Sequence, residues 1–494
     1  MRRNNLSVKR LILSIWLMVA LGATSYAQFT MDGEFRPRFE YRHGYKSVAD
    51  SAQDAAAFIE QRLRLNLGYA TEGYNFKVTL QDILVWGSQP QLVNTYNKIN
   101  GNGSYLSLHE AWGEVLFSEN WRLKLGRQEI VLDDSRIFGN VGWAQQGRSH
   151  DAAIVKYKRN TFEADLGLAY NQDRAGLVGT DAFRGGYKAF QYLWLHRKFG
   201  DNVKASILAL NNGKEQMAID RAAANAGSAD SVIYKDKYSQ TFGTRVTYGN
   251  KKLKVGAAFY AQMGLDADRN NIPMDQSGTF DRKISAMNLR VEAAYKITNK
   301  FTGTLGFEHM SGNSQTDTSA AYLRTNHAFT PFYGTNHKFN GLMDYFYVGN
   351  HVGNVGLNDI FIKLKYKAPK FWVGANVHLF SAAADVWDGY KFNKALADAV
   401  ANGTPAEVTE ITGKQFTGYK MNRSFGTEVD LLFGFKLAKG VDLKGGYSTM
   451  LASETLAYVK GTVDYKGQGR TDQNNSWGWV MVTIKPKFIS PKKK

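Results

Sequence analysis

The stretch IEQRLRLNLGY, residues 59–69, alternates apolar and polar residues along its whole length. Leu63 and Leu65 share one parity, and Arg62 and Arg64 occupy the other. Because successive side chains of a β-strand point to opposite faces, this stretch predicts a strand with one apolar face and one charged face.

The same alternation recurs along the chain, and short turns separate the alternating segments. Further examples lie at residues 35–42, 360–367 and 425–433. Turn-forming residues occur at eight places, which are Thr71–Gly73, Ser118–Asn120, Arg159–Thr161, Gly200–Asn202, Gly249–Lys251, Thr298–Lys300, Ala368–Lys370 and Ala438–Gly440. These turns join sixteen strands, and one more strand at each end gives a total of about eighteen.

The alternation of short turns with long polar loops predicts the fold class. Bacterial outer-membrane barrels have an even number of antiparallel strands, short periplasmic turns and longer external loops. A soluble sandwich would instead pack its apolar faces inside, and would rarely charge one face of nearly every strand. We therefore predict an all-β protein, a transmembrane antiparallel β-barrel of about eighteen strands in the bacterial outer membrane.

Composition limits the domain organisation. Four cations, an apolar run from Leu11 to Leu21 and a small-residue site ending at Ala27 predict a secretory signal peptide over residues 1–27. We expect the barrel over residues 28–488 and a basic tail over residues 489–494. No second long apolar run is present and cysteine is absent, so neither a membrane helix nor a disulfide framework is expected.

The net charge favours one class of solute. The formal charge is +18, and removal of the four signal-peptide cations lowers it to about +14. Nucleic acid is not expected as a partner of an exported protein, so this charge favours anionic solutes or glycans. No cofactor or metal is expected. Besides outer-membrane lipid and the solute, the sequence identifies no partner, and a single barrel that works alone is predicted.

Several loops have features of their own. The Ala-rich segments Lys214–Ala226 and Lys391–Ala401 predict short helices. The longest loop, Ser311–Val355, is rich in Asn, Gly and His. Its aromatic residues either stack on sugar rings or pack the loop onto the barrel wall, which concerns Phe332, Tyr333, Tyr345, Phe346 and Tyr347.

The stretch LGRQEIVLDDSRIFGNVGWAQQGRSHDAA, residues 125–153, contains the densest group of reactive residue types. The tripeptide Ser149-His150-Asp151 does not predict a catalytic triad, because adjacent residues at the start of a strand point to opposite sides. Asp133 and Asp134 alone fall short of the six to eight oxygens that Ca²⁺ requires. We therefore predict a loop, external or folded into the lumen, and no enzyme activity.

This stretch resembles the signature of the alginate-export porin family. FYGTNHKFNGLMDYFYVGNHVGNVGLND, residues 332–359, and GTEVDLLFGFKLAKGVDLKGGYSTM, residues 426–450, resemble later parts of the same pattern. The resemblance implies an eighteen-stranded barrel whose basic constriction passes a polyuronate. By position, it also implies that the lumen and loop set includes Arg127, Asp133, Asp134, Arg136 and Arg148.

Strand parity adds a second group of candidate solute-binding residues. These lumen residues are Arg36, Arg38, Arg62, Arg64, Arg290, Lys363 and Lys365. Arg127 has the parity of the apolar Leu125, so it faces inward only if the strand bulges near Gly126. The predicted function is a porin for anionic solutes such as acidic oligosaccharides. The alternatives are a weakly selective general porin and, less favoured, a barrel adhesin or an outer-membrane enzyme.

Overall fold

The structure is a computed structural model that describes residues 28–50, 52–88, 106–177, 186–220, 231–267, 281–464, 467–471 and 473–490. In these residues, eighteen long strands form one barrel, and two short strands, β14 and β20, lie beside it. The strands are β1 (Gln28–His43), β2 (Ala56–Ala70), β3 (Tyr74–Val85), β4 (Ser107–Leu116), β5 (Trp121–Gln128), β6 (His150–Arg159), β7 (Phe162–Tyr170), β8 (Ala189–Phe199), β9 (Val203–Asp220), β10 (Ser231–Gly249), β11 (Leu253–Leu265), β12 (Lys283–Lys296), β13 (Phe301–Met310), β14 (Thr325–Asn326), β15 (Leu357–Lys367), β16 (Phe371–Ser381), β17 (Ser424–Ala438), β18 (Val441–Ala452), β19 (Asn475–Ile484) and β20 (Lys487–Ile489).

The barrel is closed and antiparallel. Each long strand pairs with its neighbour in the chain, and β13 pairs with β15 across the longest loop. Strand β1 pairs with β2 on one side and with β19 on the other, which completes the ring. The predicted eighteen-stranded antiparallel barrel is therefore confirmed, and it places the protein in the bacterial outer membrane.

All eight predicted turns join consecutive strands. In four of them the first polar side chain accepts hydrogen bonds from backbone N–H groups two and three residues later. Thr71 does so for Gly73 and Tyr74 at 3.2 and 3.0 Å, and Asn250 does so for Lys252 and Leu253 at 2.9 and 2.7 Å. This hydrogen bonding is local and reverses the chain without tertiary contacts. The turns can therefore be predicted from the sequence.

The two barrel faces have the polarity that the alternation predicts. On β2, Leu63 is 47% exposed on the outer surface, whereas its neighbour Arg62 is 3% exposed in the lumen. On β17, Leu431 is 53% exposed and Asp430 is fully buried. Apolar side chains therefore face lipid and charged side chains face inward, the reverse of a soluble protein.

Among the described residues, four α-helices lie in the loops. They are α1 (Ala320–Leu323), α2 (Gly389–Asn402), α3 (Pro405–Gly413) and α4 (Glu454–Val459). The helix predicted over Lys391–Ala401 is confirmed within α2. The one predicted over Lys214–Ala226 is wrong where it is described, because residues 214–220 extend β9 and pair with β10. In the described residues, no helix is long and apolar enough to cross a membrane.

The ends of the chain are described in part. The predicted signal peptide, residues 1–27, lies outside the described residues, as do residues 491–494 of the predicted basic tail. Strand β1 begins at Gln28, and β20 pairs with β1 close to its start. The last aromatic residue, Phe488, thus belongs to the wall of the barrel.

The inverted polarity predicts that a lysine lowers the stability of the barrel on the lipid-facing side of a strand but not on its lumen-facing side. Ile362 lies at the middle of β15 and is 49% exposed on the outer face. Ile362→Lys should lower the free energy of unfolding by about 2–4 kcal/mol, because it places an ammonium group in the hydrocarbon core. The measurement is denaturant unfolding of the protein refolded in lipid vesicles.

The matched control is Asn376→Lys. Asn376 lies beside Val377, the cross-strand partner of Ile362, but its side chain faces the lumen and Asp430. We expect a free energy of unfolding close to that of the unsubstituted protein. An equal loss for both variants would contradict the assignment of the two faces.

Candidate solute path through the barrel

Two long loops fold into the lumen. The first, residues 129–149, connects β5 to β6, and the second, residues 311–356, connects β13 to β15. Each contacts lumen-facing wall residues, and they pair with each other through a parallel bridge between Phe138 and Tyr333. We call them the first and second inward loops. A barrel this wide is not filled by its own wall side chains, so the loops occupy part of the lumen.

A buried ion-pair network fastens the first inward loop to the wall. Arg136 is 1% exposed and donates to the fully buried carboxylate of Glu308 on β13. Arg290 on β12 donates to the same carboxylate at 2.8 Å, and Asn340 of the second inward loop donates to it at 3.0 Å. The guanidinium carbon of Arg136 also lies 3.7 Å from the ring centre of Phe339. Two loops and two strands therefore meet at one carboxylate.

The wall arginines predicted to bind solute instead hold the backbone of the first inward loop. Arg36 donates to the Gly142 carbonyl at 2.7 Å, and Arg38 donates to the Trp143 carbonyl at the same distance. Arg62 donates to the Gln145 carbonyl at 3.1 Å and to Glu34. All three guanidinium groups are buried, and their donors bind the loop or neighbouring carboxylates of the wall.

Arg64 and the acidic pair of the first inward loop are also engaged within the protein. Arg64 donates to Gln81 at 2.7 Å. Asp134 pairs with Arg245 of β10 at 3.0 Å, and Asp133 accepts from the indole N–H of Trp194 at 3.2 Å. The two aspartates therefore attach the loop to the wall, and no group of three or more metal-binding side chains occurs in the described residues.

Arg127 does not face the lumen. The register of β5 with β4 and β6 is unbroken at this point, so the bulge that would turn Arg127 inward is absent. Its guanidinium binds both carboxylate oxygens of Asp151 at 2.8 Å, and both side chains are about half exposed. The expectation from the resemblance is therefore wrong for Arg127: strand alternation prevails, and the pair lies on the outer face of the rim.

His150 and Asp151 point to opposite sides, as expected of adjacent strand residues. His150 is buried among aromatic rings, and its Nδ1 lies 3.0 Å from the Tyr187 hydroxyl. Asp151 lies outside the barrel with Arg127. Ser149, His150 and Asp151 therefore cannot act on one substrate as a triad.

The aromatic residues of the second inward loop divide into two groups. Tyr345, Phe346 and Tyr347 are buried, and Phe346 packs on Phe380 of the wall at a ring distance of 4.8 Å. Packing against the wall is thus the role of this group. Phe332 and Tyr333 line a cavity, and Tyr347 belongs to both groups because it also lines that cavity.

This cavity, which we call the vestibule, lies between the two inward loops and the wall and has a volume of about 910 Å³. Its basic lining residues are Arg38, Arg42, Lys46, Arg148 and Lys214, and its acidic ones are Glu60 and Asp344. Rings line it as well, among them Tyr187, Phe332 and Tyr333. The vestibule thus combines an excess of cations with aromatic faces.

Arg148 is the member of the predicted set whose charge remains uncompensated in the vestibule. It donates to the Gly334 carbonyl at 3.2 Å, and no carboxylate of the described residues pairs with it. Burial lowers the pKa of Arg148, yet a guanidinium stays charged at neutral pH. Lys363 and Lys365 lie on the lumen face of β15, each over an aromatic ring.

Glu308 and Asp359 are functional residues that parity reasoning overlooked. Glu308 lies next to Phe307, whose ring faces outward. Because adjacent strand residues face opposite sides, the inward position of Glu308 could have been predicted from the sequence. Asp359, fully buried on β15, accepts from Asn340 at 3.2 Å. The loop residues that bind Glu308 and Asp359 could not be predicted, since strand alternation shows which face a side chain occupies but not which residue it contacts.

The buried network predicts a consequence for conductance. Arg136→Ala should weaken the attachment of the first inward loop by about 3–5 kcal/mol, because it breaks a buried ion pair. We expect a higher and noisier single-channel conductance in planar bilayers. Arg127→Ala removes the same charge from the outer face and should leave the conductance unchanged. Identical conductance of the Arg136 variant and the unsubstituted protein would show that the loop does not limit the current.

Comparisons with known proteins concern the fold. No family model matches the sequence, and no curated protein matches it. Solved structures with a similar fold include Acinetobacter baumannii OccAB1, with a TM-score of 0.56, 12% identity and coverage of 93% of this chain and 97% of that one. Pseudomonas aeruginosa OccK2 (OpdF) in complex with glucuronate has a TM-score of 0.53 and 12% identity, with coverage of 93% of this chain and 97% of that one. The outer membrane protein OprD from Pseudomonas aeruginosa has a TM-score of 0.52 and 11% identity, with coverage of 94% of this chain and 95% of that one.

These similarities concern the fold alone, because the identities are only 11–12%. The sequence resembled the alginate-export porins, whereas the solved structures of similar fold are OprD and Occ proteins. Their fold agrees with the predicted outer-membrane barrel. The chain is therefore an outer-membrane β-barrel with the porin fold.

Proposed function

We propose that the protein is a passive channel for small anionic solutes, with uronates and short acidic oligosaccharides as the leading candidates. The observation that carries the proposal is that three of the five cations lining the vestibule, Lys46, Arg148 and Lys214, have no carboxylate partner in the described residues. The other two, Arg38 and Arg42, are paired with Glu40. In a confined space with low-dielectric walls, uncompensated cations raise the local concentration of anions.

Arg148 is the residue that we expect to contact the solute first. Its planar guanidinium matches both oxygens of a carboxylate, and no carboxylate of the described residues competes for it. Tyr187 and Phe332 are partly exposed, line the same vestibule and offer ring faces to a sugar. A uronate carries both a carboxylate and a sugar ring, so its chemistry fits this combination.

The inward loops favour small solutes over a polymer. Both loops are fastened to the wall through buried contacts such as Arg136 with Glu308 and the Leu342 and Met343 N–H groups with Glu428. A polyuronate would have to thread past these attachments. The glucuronate in the OccK2 complex supports a monomeric uronate as the first probe.

A weakly selective general porin is the second candidate. Three lumen cations are each paired with an acid on the adjoining strand. Lys77 of β3 pairs with Glu110 of β4, and Lys156 and Lys158 of β6 pair with Asp165 and Glu163 of β7. Such pairs lower the net field along that side of the lumen. Adhesion is not favoured, because the longest loop folds inward instead of projecting.

Arg148→Gln is expected to lower the anion preference of the channel. It should also weaken block by glucuronate roughly tenfold, the consequence of losing one charge-assisted hydrogen-bonded contact of about 1.5 kcal/mol. The measurements are the reversal potential under a salt gradient and the concentration dependence of glucuronate block in single-channel recordings.

Two further variants make this test specific. Arg127→Gln removes one guanidinium from the outer face and should change neither quantity. Arg148→Lys keeps the charge but not the planar fork, so it should retain anion preference while weakening block. An unsubstituted channel with no anion preference and no glucuronate block would refute the proposal in favour of a general porin.

A further inference from the structure

A group of hydrogen-bond donors without acceptors lies on the lumen wall near the short-turn end of the barrel. It consists of Lys365 and Lys367 at the end of β15, Trp372 at the start of β16, and Lys444 on β18. We call these four residues the lysine–tryptophan cluster. They lie close to the Ala368–Lys370 turn, whereas the vestibule lies among the inward loops near the other ends of the strands.

The backbone brings these side chains together. Trp372 is paired in register with Lys367 on one side and with Gly434 of β17 on the other, and Gly434 is paired with Lys444. The Trp372 indole lies across Gly434, because a Cβ there would be only 2.3 Å from the indole nitrogen. The glycine thus leaves room for the ring to extend from β16 towards Lys444.

The ring also positions the first ammonium group. Lys365 Nζ lies 4.5 Å from the centre of the Trp372 ring system, a cation–π distance. Lys365 and Lys367 are exposed, and Trp372 and Lys444 are half-buried. A solute in the lumen can therefore reach all four side chains.

The cluster lacks the acids that accompany other lumen lysines at this end of the barrel. Lys77, Lys156 and Lys158 each have a carboxylate partner on a neighbouring strand. In the described part of the chain, no carboxylate pairs with Lys365, Lys367 or Lys444, and no acceptor takes the Trp372 indole N–H. Asp442 shares the lumen-facing parity of Lys444 and is paired in register with Lys436 of β17. The four donors thus face the lumen without a protein acceptor bonded to any of them in the described residues.

We propose that the lysine–tryptophan cluster is a second oxyanion-binding site, distinct from the vestibule, at which a carboxylate or phosphate group binds before it leaves the lumen on the short-turn side. The ammonium groups supply charge, and the indole N–H supplies a directed hydrogen bond. Conduction through a selective pore requires several weak sites instead of one strong site. This inference deepens the proposed function and rests on it for the role in transport, whereas binding at the cluster is testable separately.

The test applies an oxyanion to one side of the bilayer. The chain has no cysteine, so Val400→Cys in the exposed helix α2 can be labelled with a bulky reagent that identifies the loop side of each inserted channel. Glucuronate and inorganic phosphate are then added separately to the short-turn side. We expect both to block the current, and their relative strength distinguishes carboxylate from phosphate as the preferred group.

The decisive variant is Lys365→Gln combined with Lys444→Gln. It should weaken block from the short-turn side at least tenfold while leaving block from the loop side within twofold. Lys251→Gln is the matched control, since it removes an exposed lysine from another turn at the same end of the barrel. It should change neither block from the short-turn side nor block from the loop side. Trp372→Phe keeps a ring beneath Lys365 but loses the N–H, and a weakening of a few-fold is expected.

The failure of this inference is distinguishable from the failure of the proposed function. In the Arg148→Gln background, block from the short-turn side should persist if the cluster is a separate site. Unchanged block in the double lysine variant would overturn the inference even if Arg148 proves selective. Loss of block from both sides in that variant would also overturn it, since the cluster would then act only through the overall field of the lumen.

Discussion

The pairing of β1 with both β2 and β19 is the constraint on which the rest of the structure depends. In hydrocarbon an unpaired N–H or C=O group costs several kcal/mol, so a sheet that crosses a membrane must close on itself. Closure of eighteen strands leaves an interior too wide for wall side chains to fill. The long loops have this space available, and two of them fold into it.

Folding two loops into the lumen requires that their polar backbone be satisfied there. The wall meets this requirement with charge: Arg36, Arg38 and Arg62 donate to carbonyls of the first inward loop, and Glu428 accepts N–H groups of the second. Glu308 joins both loops to two strands. Burial of charge is costly unless it is paired, so each of these groups has a defined partner. Much of the lumen charge is therefore structural.

The sequence predicts the wall well because alternation and turn chemistry are local. The parity of Leu63 and Arg62 gave their faces, and the turn at Thr71 needed only its own hydroxyl group. The loops could not be predicted in this way, since a lumen-facing Arg38 has the same sequence pattern whether it binds a solute or the Trp143 carbonyl. Residues 214–220 illustrate the related limit: their Ala-rich context favours a helix, but pairing with β10 extends the strand.

What distinguishes a transport residue from a structural one is the absence of a protein partner. Arg36, Arg62 and Arg136 have the charge that a solute site requires, yet each is held by acceptors from the chain itself. Arg148 retains its charge without a carboxylate among the described residues, and the lysine–tryptophan cluster has donors alone. In a water-filled lumen such groups recruit mobile anions, because nothing fixed neutralises them. Under the proposed function, the path of an anion through the barrel is set by the cations that the fold leaves uncompensated, and not by the total number of cations in the lumen.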